Sequence, residues 1–239
     1  MPRPRRIAGA GLTYHIYVRG NNGESIFRDD ADRYQYLAIL AEAKTKYMCR
    51  VFAYVLMTNH VHFVVQTAEP NISEIIWWAH GSHASIFNHK YGRHGHLFAT
   101  RFRSRVVDSN EYLLQSTCYI HLNPVRAGLV ERPEDYGWSS YRTYATEEMT
   151  DSLVDVTAVL GLLARSPRRA RNSYVEFVNL ARTSGLVQHL PRELFVTQHA
   201  RGGAPGRVRE PTSRPYVRRD PFLDISTRAS SHGCQSSQP

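Results

Sequence analysis

The sequence predicts an α+β fold in which one antiparallel β-sheet carries helices on one face. Two observations lead to this prediction. Apolar and polar residues alternate or form short apolar runs in four strand-like segments, and apolar residues recur at helical spacing between them. The resulting order over residues 13–130 is β-α-β-β-α-β-α. Its first six elements match the split βαβ pattern of ferredoxin-like domains.

The first half of that order is a strand, a helix and a hairpin. Residues 13–18 are rich in β-branched and aromatic side chains and lead into a turn sequence. Residues 31–46 carry apolar side chains at helical spacing. The apolar run 51–57 predicts a buried strand, and the turn Thr58-Asn59 separates it from a second strand at 60–66. These two strands are therefore expected to form a hairpin.

The second half is a helix, a strand and a further helix. Helical spacing extends from residue 71 to 88, and strand alternation follows over 96–107. Asp108 and Glu111 match the pattern of a capping box, in which two side chains satisfy backbone groups at the start of a helix. The sequence thus predicts the next helix at 110–122.

The chain divides into three regions on composition. Residues 1–150 are expected to form one domain. Residues 151–200 carry helical spacing and are expected to form a small helical extension. Residues 201–239 hold seven Arg, three acidic residues and few apolar ones, which predicts a basic, disordered tail.

Composition excludes several functional classes. The chain has 239 residues, of which 42% are hydrophobic, and no apolar run approaches the ~20 residues that cross a bilayer. Its three cysteines are too few and too widely spaced for a disulfide framework. These features predict a cytoplasmic protein without a membrane association.

The charge balance points to a polyanionic partner. Thirty basic residues oppose 21 acidic ones, for a net charge of +9, and only three of the basic residues are Lys. An arginine guanidinium can form two parallel hydrogen bonds to phosphate oxygens. The excess of Arg therefore favours a nucleic-acid partner and a nucleoid-associated location. Codon usage rich in G and C would also enrich Arg and stays open as the alternative.

Two histidines at strand spacing form the sharpest local feature. His60 and His62 lie on the second strand of the hairpin, where alternate residues share a face at about 6.5–7 Å. Two imidazoles at that spacing can converge on one metal ion, while Val61, Phe63 and Val65 point into the core. The alternative is a pair of solvent-facing histidines on a sheet.

A tyrosine and an asparagine share one face of the following helix. Tyr119 and Asn123 are four residues apart, about one helical turn, and the Asn123-Pro124 pair ends or kinks the helix. A phenol becomes a nucleophile when a cation favours its ionised form, and Asn123 offers an amide oxygen to a metal. Tyr112, on the same face, is the second candidate nucleophile, and a packing role for either tyrosine stays open.

Five ordered segments carry a resemblance to a known family. Residues 13–21 (TYHIYVRGN), 54–65 (YVLMTNHVHFVV), 94–107 (HGHLFATRFRSRVV), 118–130 (CYIHLNPVRAGLV) and 136–144 (YGWSSYRTY) together resemble the single-tyrosine HUH transposases. The similarity is greatest to the branch of REP-associated tyrosine transposases, and it covers about residues 10–145.

The resemblance implies a reaction and the residues that perform it. His60, His62 and Asn123 would hold a divalent metal ion, Mg²⁺ or Mn²⁺. Tyr119 would attack a phosphodiester of single-stranded DNA that carries a hairpin, a REP or palindromic element. The products would be a 5′-phosphotyrosine and a free 3′-OH, which can rejoin strands. Relatives act as monomers or homodimers, so either state is open for this chain.

Four arginines are the candidate DNA contacts. Arg101, Arg103 and Arg105 alternate on the predicted strand 96–107 and share a face that fits a row of phosphates, and Arg126 follows the Tyr119 helix. A solvated edge strand is the alternative for the first three. His80 and His83 are three residues apart on the predicted helix 71–88, and we expect them on a surface or DNA-facing side rather than in a zinc site.

Two other functions compete with the transposase. The first is a non-catalytic DNA-binding protein that keeps the fold and recognises a DNA sequence or structure without cleaving it. The second is a metal-binding RNA chaperone, which accounts for the charge and the histidines but not for the order of the motifs.

Overall fold

A four-stranded antiparallel sheet forms the centre of the protein. The structure, a computed structural model, describes residues 6–147 and 151–184. The strands are β1 (Thr13–Arg19), β2 (Arg50–Met57), β3 (His60–Gln66) and β4 (Arg103–Val107). They lie in the order β2-β3-β1-β4 and every neighbouring pair is antiparallel, which confirms the α+β prediction and the β2–β3 hairpin.

Seven helices accompany the sheet in the described part of the chain. They are α1 (Asp30–Lys46), α2 (Ile72–Tyr91), α3 (Asn110–His121), α4 (Asn123–Arg126), α5 (Tyr141–Ala145), α6 (Val156–Leu160) and α7 (Pro167–Ser184). Across those same residues, no helix combines the length and the apolar character needed to traverse a lipid bilayer.

Helices α1 and α2 cover the first face of the sheet, as the sequence predicts. Alternate residues of the strands, such as Ile16, Leu56 and Phe63, point into this layer and pack with Tyr36 of α1 and Ile76 of α2. Strand periodicity places these side chains on one face, and their burial supplies the apolar area that stabilises the packing.

The opposite face is also covered, over β2 and β3. Its apolar residues, among them Val55, Met57 and Val64, pack with Cys118 and Ile120 of α3. The predicted position of the helices on one face of the sheet therefore holds for α1 and α2, whereas α3 packs on the opposite face. The reason is visible in β2, whose continuous apolar run makes both of its faces require cover.

The described part of the predicted extension joins this second layer. Val159 of α6 and Tyr174 and Val178 of α7 are buried in the same cluster as Val55. Residues 185–200 of the predicted extension and the predicted tail 201–239 lie outside the described residues, and the boundary at residue 150 stays a prediction.

Two predicted boundaries need correction. The side chain that caps α3 is Ser109, whose Oγ accepts from the Tyr112 N–H at 3.1 Å, and not Asp108. Strand β4 begins at Arg103 rather than near residue 96, because the chain first makes one isolated bridge from Phe98 to Gly20 and then turns.

Candidate active site

The second face of the sheet gathers the polar residues of β1, β3 and β4. Antiparallel pairing sets Tyr17 between His62 and Arg103, and it sets His15 beside Arg105. Paired residues project to the same side of a sheet, so these five side chains share one face. The α3 helix packs mainly against β2 on that face, and it also contacts β3 and β4.

His60 is held by its neighbour in the hairpin turn. Its Nδ1 lies 2.7 Å from Oδ1 of Asn59, and Asn59 Nδ2 donates to the Gly23 carbonyl at 3.1 Å. Because the Asn59 amide group is oriented by Gly23, its oxygen faces His60 and accepts from the Nδ1–H. The Nε2 of His60 therefore carries a lone pair.

His62 is buried and lies against the second histidine of this face. Its Nδ1 is 3.1 Å from Nε2 of His15, and both side chains are almost fully shielded from solvent. The ring of Tyr17 packs on that of His62, with 4.7 Å between the ring centroids.

These histidines are neutral at physiological pH. Burial lowers the pKa of His15 to about 3, with a further contribution from the Arg105 guanidinium. Burial also lowers the pKa of His60 to about 4, although a hydrogen bond with Asn123 opposes the shift. The pKa of His62 is well below its usual value, first through burial and then through the charges of neighbouring groups that include Arg126. Neutral imidazoles keep a lone pair available to a metal ion.

Helix α3 brings Tyr119 onto these histidines. The ring centroid of Tyr119 lies 5.6 Å from that of His62 and 5.7 Å from that of His15, in edge-to-face arrangements. Tyr119 is partly exposed. The helix breaks at Leu122, and Asn123 then starts α4 and donates from Nδ2 to the Tyr119 carbonyl at 3.3 Å.

Two arginines lie against the two tyrosines of α3. The guanidinium carbon of Arg126 is 4.8 Å from the ring centroid of Tyr119. That of Arg105 is 4.9 Å from the ring centroid of Tyr112. A guanidinium over an aromatic face is a favourable cation–π contact, and it places a positive charge beside each ring. Arg126 is exposed and thus accessible to a phosphate.

The proposed ligand residues fit a divalent metal ion in their chemistry. Asn123 is close enough to His60 to influence its pKa, and His62 is the neighbour of His60 on the same face, with 5.4 Å between ring centroids. Within the described ranges, no group of three His, Cys, Asp or Glu side chains could hold a metal. The ligand set predicted from the sequence would consist of two imidazoles and one amide, which are neutral donors that first-row metals accept.

Some predicted residues lie elsewhere than expected. Arg101 precedes β4 and does not share the regular alternation of Arg103 and Arg105. His80 and His83 do not face solvent or DNA. They are buried between α1 and α2, where His80 Nε2 is 2.9 Å from the Tyr36 hydroxyl and His83 donates from Nε2 to the Ile26 carbonyl at 2.8 Å.

Sequence reasoning missed two residues of this face. His15 and Tyr17 on β1 contact the His62 ring and lie at the centre of the site. The sequence feature that indicates these two residues is the alternation of His15, Tyr17 and Arg19, which gives β1 a polar face. Only the register of β1 with β3 shows that this face meets the two histidines of β3.

The first part of the chain matches the model of a known transposase family. Residues 9–123 match the family model "Transposase IS200 like". These residues, just under half of the chain, are therefore similar to the IS200-like transposases, which agrees with the family that the sequence motifs predict and supports a DNA-cleaving enzyme. No curated protein sequence matches the chain.

One solved structure shares the fold. The chain resembles a REP-associated tyrosine transposase bound to a REP hairpin, with a TM-score of 0.53 and 21% identity over 66% of this chain and 94% of that one. A candidate transposase from Deinococcus radiodurans R1 has a TM-score of 0.35 and 17% identity, over 47% of this chain and 91% of that one. The first of these shows the shared fold, and the second is too distant to carry an argument.

Proposed function

We propose that this protein cleaves and rejoins single-stranded DNA through a covalent bond to Tyr119. The observation that carries the proposal is the position of Tyr119, whose ring lies edge-on to His62 and beneath the Arg126 guanidinium. The similarity of residues 9–123 to the IS200-like transposases supports DNA as the substrate class. The site supplies one partly exposed phenol, a pair of neutral histidines and cationic side chains on the same face.

The proposed step forms one bond and breaks one. The Tyr119 oxygen attacks the scissile phosphorus, the phenolic proton leaves, and the bond from phosphorus to the 3′-oxygen breaks. The 3′-oxygen takes up a proton and becomes a free 3′-OH, and the 5′ side of the break stays on Tyr119 as a phosphotyrosine. Because this ester conserves the phosphodiester energy, a second 3′-OH can reverse the step and join strands.

The side chains around Tyr119 have separate tasks. Arg126 places positive charge where the phenolate and the phosphate carry negative charge, which stabilises the transition state. His60, His62 and Asn123 would hold Mg²⁺ or Mn²⁺. When bound, such an ion polarises the phosphate and favours ionisation of the phenol.

The arginine face would bind the DNA strand. Arg103 and Arg105 share the face of the site through their pairing with β1, and Arg101 lies just before them in the chain. Contacts of this kind to phosphates position a strand without reading its sequence. The similar structure contains a REP hairpin, and we propose hairpin-bearing single strands as the substrate of this chain too.

Location and assembly belong to this proposal. A DNA substrate implies a cytoplasmic, nucleoid-associated protein. Tyr119, His60, His62 and Asn123 all come together within one chain, so a monomer holds a complete set of the proposed groups, and a homodimer stays open.

A covalent-adduct assay tests the proposal. The protein is incubated with hairpin-bearing single-stranded DNA and Mn²⁺ or Mg²⁺, and the products are separated on a denaturing gel. We expect an adduct with the wild-type chain and with Tyr112→Phe, the matched control on the same helix. Tyr119→Phe should form none. Tight DNA binding without any adduct, across hairpins drawn from the gene's own flanks, would instead support the non-catalytic DNA-binding protein.

A further inference from the structure

Each of the two proposed ligand histidines has a hydrogen-bond partner at the same ring nitrogen. The Nδ1 of His60 lies 2.7 Å from Asn59 Oδ1, and the Nδ1 of His62 lies 3.1 Å from His15 Nε2. The two partners come from different elements, the β2–β3 turn and the middle of β1. With Nδ1 of each ring in such a contact, Nε2 is the atom that each ring would offer to a metal.

The tautomer of His62 follows from the requirement that its Nε2 keeps a lone pair for the metal. A hydrogen bond between two neutral imidazoles needs one N–H and one lone pair. A proton on Nε2 of His62 would block that atom as a ligand. If Nε2 keeps its lone pair, the proton lies on Nδ1 and is donated to His15 Nε2, and His15 then carries its own proton on Nδ1.

We propose that His15 is a positioning residue for metal binding, which accepts the Nδ1–H of His62 and fixes that ring with Nε2 directed to the metal. The inference rests on the proposed function, since it assigns a role toward the metal of that site. His15 itself is no ligand in this arrangement, because its Nε2 is occupied by His62. Asn59 performs the same task for His60 from the hairpin turn.

Burial explains why His15 can do this. The side chain of His15 is 2% exposed, and its ring is held between His62 and Tyr119, with centroids at 5.3 and 5.7 Å. A partner that is fixed in this way loses little conformational entropy when it orients His62. Partners of this kind around metal-ligating histidines typically contribute about 10–100-fold in metal affinity.

Mn²⁺ binding by isothermal titration calorimetry, on the full chain without DNA, tests the role. His15→Leu removes the acceptor, and we expect Mn²⁺ to bind about 10–100-fold more weakly. His15→Gln keeps a side-chain acceptor and should recover part of the affinity. Val64→Ala is the matched control, because Val64 is the buried register partner of His15 on β3 and is not a proposed ligand. It should lower the melting temperature while leaving the Mn²⁺ affinity unchanged.

Nitrogen-detected NMR of the histidine side chains provides a second readout that is independent of activity. In the wild-type chain we expect the proton of His62 on Nδ1. A proton on Nε2, or a wild-type Mn²⁺ affinity in folded His15→Leu, would overturn this proposal alone. A wild-type chain that binds no Mn²⁺ would contradict the metal site of the proposed function and this proposal together.

Discussion

Three buried histidines that are not among the proposed groups of the site should make the fold sensitive to acid. His80 and His83 lie between α1 and α2, and His121 of α3 lies in the second layer. Burial lowers the pKa of His80 and of His121 to about 3, and it lowers the pKa of His83 as well. Burial separates each ring from water and so favours its neutral form, although the hydrogen bond of His83 to the Ile26 carbonyl opposes the shift.

The sign of the effect follows from which state binds more protons. The pKa of each histidine is lower in the folded chain than the ~6.5 of an unfolded one, so the unfolded state binds more protons below that pH. The stability that these groups contribute is therefore complete above about pH 6.5, and it is lost as the pH falls toward the folded values.

The magnitude comes from the number of such groups. Between pH 7 and 5, one histidine with a folded pKa of about 3 costs about 2 kcal/mol of the free energy of unfolding, so His80 and His121 together cost about 4 kcal/mol. About 1.5 kcal/mol of this is lost from pH 7 to 6 and about 2.5 kcal/mol from pH 6 to 5, and His83 shifts in the same direction. The neutral histidines of the site add to the loss. A domain is usually stable by roughly 5–15 kcal/mol, so we expect unfolding near pH 5.

Urea unfolding at pH 7, 6 and 5, followed by tryptophan fluorescence, measures this loss. The variant His80→Gln keeps a hydrogen-bonding group beside Tyr36 but does not titrate. It should lose about 2 kcal/mol less than the wild type over the same range. A total loss under about 2 kcal/mol in the wild type would refute the reasoning, because it would mean that at most one buried histidine stays neutral.

Three further predictions follow from the packing and the charge. Tyr174→Phe removes the hydroxyl that contacts Nδ1 of buried His121 at 2.7 Å. The variant should lower the free energy of unfolding by about 1–3 kcal/mol, measured by urea unfolding at pH 7. An unchanged free energy of unfolding would contradict the contact. Arg103→Ala should weaken binding of single-stranded DNA and flatten its salt dependence, measured by fluorescence anisotropy, whereas Arg169→Ala, exposed on α7, should not. Truncation after residue 200 removes a net charge of +4, from seven Arg and three acidic residues. It should weaken DNA binding, but cleavage at saturating DNA should remain. A truncated chain that cleaves no DNA under those conditions would show that residues 201–239 do more than add affinity for DNA.

The strands at the site were predictable because their signals are local. The predicted strand 60–66 coincides with β3, since strict alternation and a turn on its N-terminal side define it. The run 51–57 gave β2 within one residue. The hairpin turn then fixes the register of these two strands, and with it the shared face of His60 and His62.

The features that sequence did not reveal depend on distant contacts. His80 and His83 are polar residues on a helix, so local patterning favours a solvent-facing position. Their burial depends on Tyr36 and the Ile26 carbonyl, which belong to other parts of the chain. The role of His15 likewise requires the register of β1 against β3, which its own sequence does not carry.

The most direct test of the account is to identify the residue that carries the DNA. After reaction with a hairpin-bearing single strand and nuclease trimming, trypsin should release the peptide Val106–Arg126, which contains both Tyr112 and Tyr119. Tandem mass spectrometry then locates the remaining nucleotide. We predict a 5′-phosphate ester on Tyr119. A nucleotide on Tyr112, or on any residue outside this peptide, would contradict the assignment of the nucleophile.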